Sequence, residues 1–212
     1  MENLSKNHGM ASARENLILS IVVPVYNEAE GLREFHKRVS GVLGSLVFKS
    51  EIIYVNDGST DSSIATLMQL KLADPRVAII DLSRNFGKEI ALTAGIDHSC
   101  GDAVVVIDAD LQDPPELIPE LIHEWEQGFD IVYAQRSGRE GESSLKKATA
   151  YAFYRVIQTV SRVSIPKDTG DYRLLSRRAV SALKQLREQH RFMKGLFAWI
   201  GFPQKEVRYT RL

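Results

Sequence analysis

The stretch Val104-Val105-Val106-Ile107-Asp108-Ala109-Asp110-Leu111-Gln112-Asp113-Pro114-Pro115 decides how this chain folds and where its chemistry lies. Its apolar, β-branched start predicts a buried strand, and carboxylates follow where that strand must end. Ligands of open α/β sheets bind beyond the carboxyl ends of the strands, so these acids face the expected ligand. Asp108 and Asp110 share a face in extended chain and can converge on one cation. Carboxylates without nearby histidine or cysteine suit Mg²⁺ or Mn²⁺. The stretch therefore predicts metal-assisted chemistry on a phosphorylated substrate, with a nucleotide as the first candidate.

A purely structural role is the alternative for the same acids. Asp113 precedes two prolines, which fits a helix N-cap followed by proline at the first helical position, and we assign it that role. Capping does not explain Asp108 and Asp110, because two neighbouring carboxylates repel each other unless a cation offsets their charge. We therefore keep the metal interpretation for this pair.

Composition limits the classes of protein to consider. The chain has 212 residues, 44% of them hydrophobic, which is enough for one large core. Its 27 basic and 27 acidic residues balance, so we expect no nucleic-acid partner. The single cysteine, Cys100, excludes an internal disulfide, fits a reducing compartment and is expected to be a small buried hydrophobe. The histidines lack the spacing of a zinc site.

Targeting signals are not apparent in the sequence. No stretch approaches the ~18 continuous apolar residues of a membrane span. Residues 1–16 are polar and lack the apolar centre of a signal peptide. We expect residues 1–16 to be a disordered lead-in, residues 17–212 to form a single domain, and the chain as given to be soluble and cytoplasmic.

Apolar runs alternate with helical patterns, which predicts an α/β fold with a mostly parallel central sheet flanked by helices. The expected strands are Leu17–Val25, Glu51–Asn56, Val77–Asp81, Ala103–Ile107, Ile131–Ala134, Asp171–Ser176 and Glu206–Tyr209. The expected helices are Ala29–Leu46, Ser62–Ala73, Lys88–His98, Pro115–Gln127, Leu145–Val163 and Arg177–Glu188, and Phe192–Ile200 is left open. The segment Gln135–Ser144 is rich in glycine, serine and charge and is expected to be a mobile loop beside the ligand.

Polar and basic side chains follow the other predicted strands. No GxGxxG turn follows the first strand, which argues against an ordinary Rossmann dehydrogenase. After the second strand, Asp57 is free to accept hydrogen bonds from a base or a ribose. Basic residues after the third and fifth strands offer contacts to a diphosphate, and they are Arg84, Lys88, Arg136 and Arg139.

Five motifs in order resemble a known family. Pro24-Val25-Tyr26-Asn27-Glu28, Val55-Asn56-Asp57-Gly58-Ser59-Thr60-Asp61 and the Asp108–Pro115 stretch resemble the signature of family 2 glycosyltransferases, which have a Rossmann-like GT-A fold. Ser83-Arg84-Asn85-Phe86-Gly87-Lys88 and Asp168-Thr169-Gly170-Asp171-Tyr172-Arg173-Leu174 resemble in particular the polyprenyl-phosphate glycosyltransferases. That branch contains dolichol-phosphate mannose synthase and bacterial undecaprenyl-phosphate glucosyltransferases. The match runs from about Ser20 to Leu212.

The resemblance implies a role for each matching residue. The nucleotide pocket would be formed by Pro24, Tyr26, Asn27, Glu28, Asp57, Lys88, Asp108 and Ala109. The divalent metal would be held by Asp110 and Asp108, with Gln112 supporting them. Diphosphate or acceptor phosphate would be contacted by Arg136, Arg139 and Arg173. Asp171 or Asp168 would lie close to the reacting sugar carbon, so these two residues and Arg173 are the catalytic candidates.

The function implied is an inverting, metal-dependent transfer of one sugar from a nucleotide sugar to a polyprenyl phosphate at the cytoplasmic side of a membrane. UDP-glucose is the first choice of donor, while GDP-mannose and amino-sugar donors stay open, as does the choice between Mg²⁺ and Mn²⁺. A saccharide or protein acceptor is one alternative. A catalytically silent nucleotide-sugar-binding module that serves a membrane partner is the other.

Two departures from the family pattern affect the acceptor. The Gln-x-x-Arg-Trp motif of processive synthases is absent, which favours transfer of a single sugar. The membrane helices with which lipid-phosphate relatives usually continue are also absent from the sequence given. Lys146–Val163 and Arg191–Phe202 mix aromatic and basic residues and are candidates for contact with a membrane surface, for core packing or for homo-oligomer formation.

Overall fold

The structure is a computed structural model, and it describes residues 16–136, 169–186 and 192–210. Several predictions lie outside these residues. They are the lead-in 1–15, most of the predicted loop Gln135–Ser144, the helix Leu145–Val163, and the site candidates Arg139 and Asp168.

Strands and helices alternate as the sequence predicts. The strands are β1 (Ile18–Val25), β2 (Lys49–Asn56), β3 (Val77–Asp81), β4 (Ala103–Val106), β5 (Ile131–Arg136), β6 (Thr169–Ser176) and β7 (Gln204–Tyr209). The helices are α1 (Leu32–Gly44), α2 (Ser63–Ala73), α3 (Lys88–His98), α4 (Ile118–Glu126), α5 (Arg177–Gln185) and α6 (Met193–Trp199). A 3₁₀ turn, Pro115–Leu117, precedes α4.

One sheet contains all the described strands, in the order β3-β2-β1-β4-β6-β5-β7. β6 runs antiparallel to both of its neighbours, β4 and β5, and the remaining pairings are parallel. The mostly parallel sheet is therefore confirmed. The chain builds outward from β1 to β2 and β3, and then returns to place β4 on the other side of β1. This reversal creates a crevice at the carboxyl ends of β1 and β4, which is the usual ligand position in such sheets.

Helices cover both faces of the sheet. Along β1, Ile21 and Val23 face the core that α1, α2 and α4 cover, while Val22 faces the core on the side of α3, α5 and α6. Burial on both faces explains why the central strands are continuous apolar runs instead of alternating ones. None of the described helices is long and apolar enough to cross a membrane.

Two glycines permit the close packing on which the crevice depends. A Cβ on Gly95 of α3 would lie 2.3 Å from Val22 Cγ1, so this residue lets α3 pack tightly on β1. Gly58 has φ +63°, and a Cβ there would lie 2.3 Å from the carbonyl carbon of Arg84. The turn after β2 and the loop after β3 therefore touch at the edge of the crevice.

Some predicted boundaries are wrong for local reasons. α1 begins at Leu32 instead of Ala29, because residues 29–31 form a turn in which Glu28 O accepts the N–H groups of Gly31 and Leu32. The predicted helix Pro115–Gln127 is divided into the 3₁₀ turn and α4. Gln135 and Arg136 belong to β5, so the predicted loop starts too early.

Cys100 and Asp113 do not have their predicted environments. Cys100 is exposed, in the turn between α3 and β4, and its N–H donates to Glu51 Oε1. Asp113 is buried but caps no helix, because its carboxylate accepts hydrogen bonds from Arg136 Nη2 and the hydroxyl of Tyr209. Pro114 has the N-cap position instead.

Of the segment Arg191–Phe202, the part that the structure describes, 192–202, contains α6 and is partly core. Met193 and Phe197 are buried against the sheet, as the core-packing interpretation requires. Phe192 and Trp199 are exposed. The structure therefore divides the aromatic residues of this segment between the core and the surface.

Candidate active site

A cavity of about 290 Å³ lies in the crevice, at the carboxyl ends of β1, β2 and β4 and the start of α3. Most of the nucleotide and metal candidates line it. These are Pro24, Tyr26, Glu28, Asp57, Lys88, Asp108, Ala109 and Asp110. Four successive parts of the sequence thus converge on one space, because the parallel strands all end at this edge of the sheet.

Asn27 does not line the cavity, although it lies between residues that do. It has φ +56°, a left-handed conformation that asparagine tolerates better than most residues. Its Oδ1 accepts the backbone N–H groups of Thr60 and Asp61 at 2.8 and 3.3 Å. Asn27 therefore ties the end of β1 to the turn after β2.

Asp57 lines the cavity, but its carboxylate is already engaged. Its Oδ1 accepts the N–H of Phe86 at 2.8 Å, and its Oδ2 accepts the N–H of Gly87 at 2.9 Å. The expectation of an uncommitted carboxylate was therefore wrong. Asp57 holds the loop that leads into α3, and this loop carries Lys88 into the cavity.

Lys88 lines the cavity and connects the ends of two strands. In the antiparallel register of β4 and β6, Val106 lies opposite Arg173, and continuing this register brings Asp108 beside Asp171. Lys88 Nζ lies 2.7 Å from Asp108 Oδ2 and 2.6 Å from Asp171 Oδ2. Burial alone would lower the pKa of Lys88, but the two carboxylates outweigh it and raise the pKa, so the residue stays an ammonium ion.

Asp171 is ionised although it is buried. Burial would raise its pKa, but Lys88, Lys194 and Arg173 outweigh burial and hold the pKa below its ordinary value. Its Oδ2 contacts Lys88, whereas its Oδ1 is buried without a hydrogen-bond partner among the described residues. Asp171 is not among the residues that line the cavity, and it is joined to the cavity through Lys88.

Glu28, Asp108 and Asp110 give the cavity lining an excess of negative charge. Burial, followed by the proximity of Asp110 and Asp108, raises the pKa of Glu28. Burial also raises the pKa of Asp108 despite Lys88, and the charges of Asp171 and Asp110 add to this effect. Mutual repulsion of this kind disappears when a cation binds between the carboxylates.

The oxygen donors of this cluster fit a hard divalent cation. The described residues contain no ready-made group of three or more protein ligands. A Mg²⁺ or Mn²⁺ ion bound by two carboxylates would complete its coordination with substrate phosphates and water. Gln112 contributes its backbone N–H to Asp110 Oδ1 at 3.0 Å, and its side chain does not line the cavity.

The arginine candidates lie outside the cavity lining. Arg136 donates to Tyr209 Oη at 3.0 Å and to Asp113 Oδ1 at 3.0 Å, at the end of β5. Arg84 is exposed, and its guanidinium lies 4.3 Å from the centre of the Phe86 ring. Arg173 is buried in β6, on the same face as Asp171.

Sequence reasoning missed four residues that line the cavity, namely Val25, Asn85, Gly87 and Ala91. A signal existed for two of them. Gly87 immediately precedes the helix that carries Lys88 and has φ +94°. Ala91 follows Lys88 by three residues, which places both on one face of α3. Val25 is the last residue of β1, and Asn85 lies in the loop before α3; both stand within the family motifs, but no separate pattern marks them.

Comparisons with known proteins agree with this architecture. A model of glycosyl transferase family 2 matches residues 20–184. An uncharacterized glycosyltransferase of Synechocystis is 52% identical over 193 residues, which cover 91% of this chain and 61% of that protein. The bactoprenol glucosyl transferase of Shigella phage SfV is 44% identical, over 91% of this chain and 63% of that protein. The chain thus spans about three fifths of the length of these relatives.

A solved structure shares the fold at low sequence identity. Glucosyl-3-phosphoglycerate synthase of Mycobacterium tuberculosis, in complex with Mn²⁺, UDP-glucose and phosphoglyceric acid, has a TM-score of 0.62 and 16% identity. The match covers 95% of this chain and 72% of that one. Since the family model spans most of the sequence and the sheet has the architecture of these transferases, the chain belongs to glycosyl transferase family 2 and adopts its GT-A fold.

Proposed function

We propose that this chain is the catalytic part of an inverting, metal-dependent glycosyltransferase that moves one glucose from UDP-glucose to a polyprenyl phosphate. One observation carries the proposal, namely the convergence of Glu28, Asp108 and Asp110 on a cavity at the switch point of the sheet, with Lys88 in its lining. A nucleoside diphosphate with its cation suits this combination of oxygen donors and one ammonium group.

In this proposal the nucleoside lies against Pro24, Tyr26 and Asp57. Tyr26, 44% exposed, offers a ring for a base to stack on. Asp57 retains lone pairs for a base N–H or a ribose hydroxyl beyond the two backbone donors that it already has.

The cation in this proposal is held by Asp110 and Asp108. When bound, it supplies Lewis-acid neutralisation of the charge on the diphosphate. Lys88 adds a fixed positive charge from the protein and keeps Asp108 and Asp171 in place. Because the ammonium is already oriented, it costs no reorganisation when the leaving group departs.

The ionisation of Asp171 favours an acceptor that is itself anionic. A carboxylate whose pKa lies below its ordinary value is a weak general base near neutral pH. A hydroxyl acceptor would need an effective general base to remove its proton. The oxygen of a phosphate already carries negative charge and needs no such base. Asp171 then orients the sugar, and the phosphate oxygen attacks the anomeric carbon from the face opposite the leaving diphosphate.

The name of one relative supports the transferred sugar and the acceptor. The Shigella phage protein, 44% identical to this chain, is named a bactoprenol glucosyl transferase, and bactoprenol is a polyprenol. By this likeness we assign a polyprenyl phosphate as the acceptor and glucose as the sugar. The proposal places the reaction at the cytoplasmic surface of a membrane.

The first experiment titrates UDP and GDP calorimetrically into the chain, with and without Mn²⁺. We expect metal-dependent binding of UDP that Asp110→Asn abolishes. Asp97→Asn, the same change at an exposed position near the other end of α3, is the matched control and should bind like the parent. Binding of GDP but not of UDP would mean that the donor is a GDP-sugar and not UDP-glucose. Metal-independent binding of both nucleotides would contradict the cation site.

The second experiment offers UDP-glucose and undecaprenyl phosphate in detergent micelles and measures glucosyl lipid formed. Undecaprenol, which has a hydroxyl in place of the phosphate, is the control acceptor. We expect product with the phosphate only. Equal transfer to undecaprenol would contradict the argument from the ionised Asp171.

A further inference from the structure

The guanidinium of Arg173 donates hydrogen bonds to two successive backbone carbonyls, those of Gly170 and Asp171. Its Nη2 donates to Gly170 O at 2.8 Å, and its Nε donates to Asp171 O at 3.2 Å. Both acceptors belong to the same strand, β6, and the arginine is 4% exposed. The two parallel N–H donors of the guanidinium thus bind the backbone of the protein. In a residue that binds a phosphate, they would point towards the cavity instead.

Phe197 covers one face of this guanidinium. The centre of its ring lies 4.0 Å from Arg173 Cζ, and the ring is buried. α6, which carries Phe197, is tied at its start to α3, because Glu89 Oε2 accepts the N–H of Met193 at 3.0 Å. Glu89 directly follows Lys88, so the helix that supports Arg173 is joined to the helix that supplies the ammonium at Asp171.

The charge of Arg173 makes this arrangement informative. Burial lowers its pKa to about 10, so the residue remains charged near neutral pH. Among the described residues, no carboxylate forms a salt bridge with it. The nearby charges of Asp171 and Glu89 oppose the effect of burial on this pKa, but the hydrogen bonds of the guanidinium go to backbone carbonyls and its face lies against Phe197. The contacts of Arg173 therefore hold the backbone around Asp171 in place.

We propose that Arg173, supported by Phe197, is a positioning residue that sets the place of Asp171 and is not a ligand of the donor or acceptor phosphate. The proposal rests on the proposed function, since it assigns Asp171 to the reacting sugar. Asp171 Oδ2 is held by Lys88, which lines the cavity, so a shift of the Gly170–Asp171 backbone would disturb this contact and the position of the carboxylate directly.

The test compares Arg173→Met, Arg173→Lys and Phe197→Leu with Phe192→Leu, the same change at an exposed ring next to α6. kcat and KM are measured with UDP-glucose and undecaprenyl phosphate, below the unfolding temperature of every variant. We expect the first three variants to lose at least about tenfold in kcat while both KM values change less than about threefold. Phe192→Leu should stay within about twofold of the parent in kcat.

The Arg173→Lys variant distinguishes the effect of guanidinium geometry from the effect of positive charge. It keeps the positive charge but has neither the fork that reaches two carbonyls nor the flat face that stacks on Phe197. We therefore expect Arg173→Lys to lose as much kcat as Arg173→Met. Two results would overturn the proposal and support Arg173 as a phosphate ligand. One is a kcat near the parent value in Arg173→Lys, and the other is a rise in the acceptor KM with kcat retained.

Failure of the proposed function would be visible separately. If the parent chain transfers no glucose, the proposed acceptor or donor is wrong. The positioning role of Arg173 is then tested by UDP binding and by amide hydrogen exchange in residues 169–176. We expect Arg173→Met to keep UDP affinity within about threefold and to exchange faster there than Phe192→Leu. A loss of UDP affinity of tenfold or more with unchanged exchange would contradict the inference.

Discussion

Lys88 Nζ lies 2.6 Å from Asp171 Oδ2, and this contact joins the first turn of α3 to the start of β6. The two residues are far apart in sequence and meet because β6 runs antiparallel beside β4. The same ammonium reaches Asp108, so one cation of the protein holds together the two carboxylates that border the candidate metal position and the candidate sugar position.

Removal of that ammonium should disable the site. In Lys88→Met, Asp108 and Asp171 would repel each other across the space that the ammonium occupied, and we expect glucosyl transfer to fall by about a hundredfold or more. Initial rates with UDP-glucose and undecaprenyl phosphate measure this. Lys71→Met, at an exposed position of α2, is the matched control. Retention of more than about a third of the parent rate in Lys88→Met would show that the ammonium is dispensable.

Asp57 should matter for stability as well as for nucleotide binding. In Asp57→Asn only one side-chain oxygen remains to accept the N–H groups of Phe86 and Gly87, so one of these two partly buried hydrogen bonds to the carboxylate is lost. The N–H of Gly87 keeps Asn85 Oδ1 as a second acceptor at 2.9 Å. We expect a loss of about 1–3 kcal/mol in the free energy of unfolding, together with weaker UDP binding. Urea denaturation and calorimetry test the two effects. An unchanged unfolding midpoint would mean that the loop does not depend on this carboxylate.

Gly58 should tolerate no side chain. An added Cβ would meet the backbone of Arg84 and Asn85 at 2.3 and 2.5 Å, in a residue whose φ is +63°. We expect Gly58→Ala to lower the free energy of unfolding by about 1–3 kcal/mol. Gly41→Ala, in α1 with open space around it, should instead raise the free energy by about 0.5–1 kcal/mol. Equal effects at the two positions would contradict the close approach of the two loops.

His36 should make the protein sensitive to mild acid. Burial lowers its pKa below 6.5, although Asp74 acts in the opposite direction. A depressed pKa favours the neutral form in the folded state, so this stability is present above pH 6.5 and is lost as the pH falls towards the folded-state value. Between about pH 7.5 and about pH 5.5, the parent should lose more in Tm than His36→Gln, and equal losses would rule out His36 as the source.

A second acidic window should follow from Asp74. The hydrogen bond from Arg76, opposed by burial, lowers the pKa of Asp74 from 3.8 to about 2. The stability from this carboxylate is present above pH 3.8 and is lost as the pH falls towards 2. We expect Asp74→Asn to be less stable than the parent at neutral pH and to approach it near pH 2, as followed by urea denaturation.

The residues of the cavity were predictable where a local pattern marked them. A β-branched apolar run followed by acids indicates the end of a buried parallel strand, and every such end lies at the same edge of the sheet. For that reason the sequence alone assigns Glu28, Asp57, Asp108 and Asp110 to one site, and they line one cavity. The roles assigned to them stay predictions.

The environments of single side chains were not predictable in the same way. Asp113 has the local signature of a helix cap, yet its carboxylate binds Arg136 and Tyr209 from two other strands. Arg173 has the charge of a phosphate ligand, yet its guanidinium is turned into the strand and stacked on Phe197. In both cases a partner distant in sequence decides which of several chemically suitable contacts is made.

The linear order of residues thus specifies the fold class, the strand ends and the acidic edge, because burial and hydrogen bonding within strands and helices act over a few neighbouring residues. The pairing of Lys88 with Asp171, the commitment of Asp57 to the backbone and the burial of Arg173 are decided by tertiary packing alone. Each of them depends on the antiparallel insertion of β6 or on the contact between neighbouring loops, and no local sequence pattern encodes those distances.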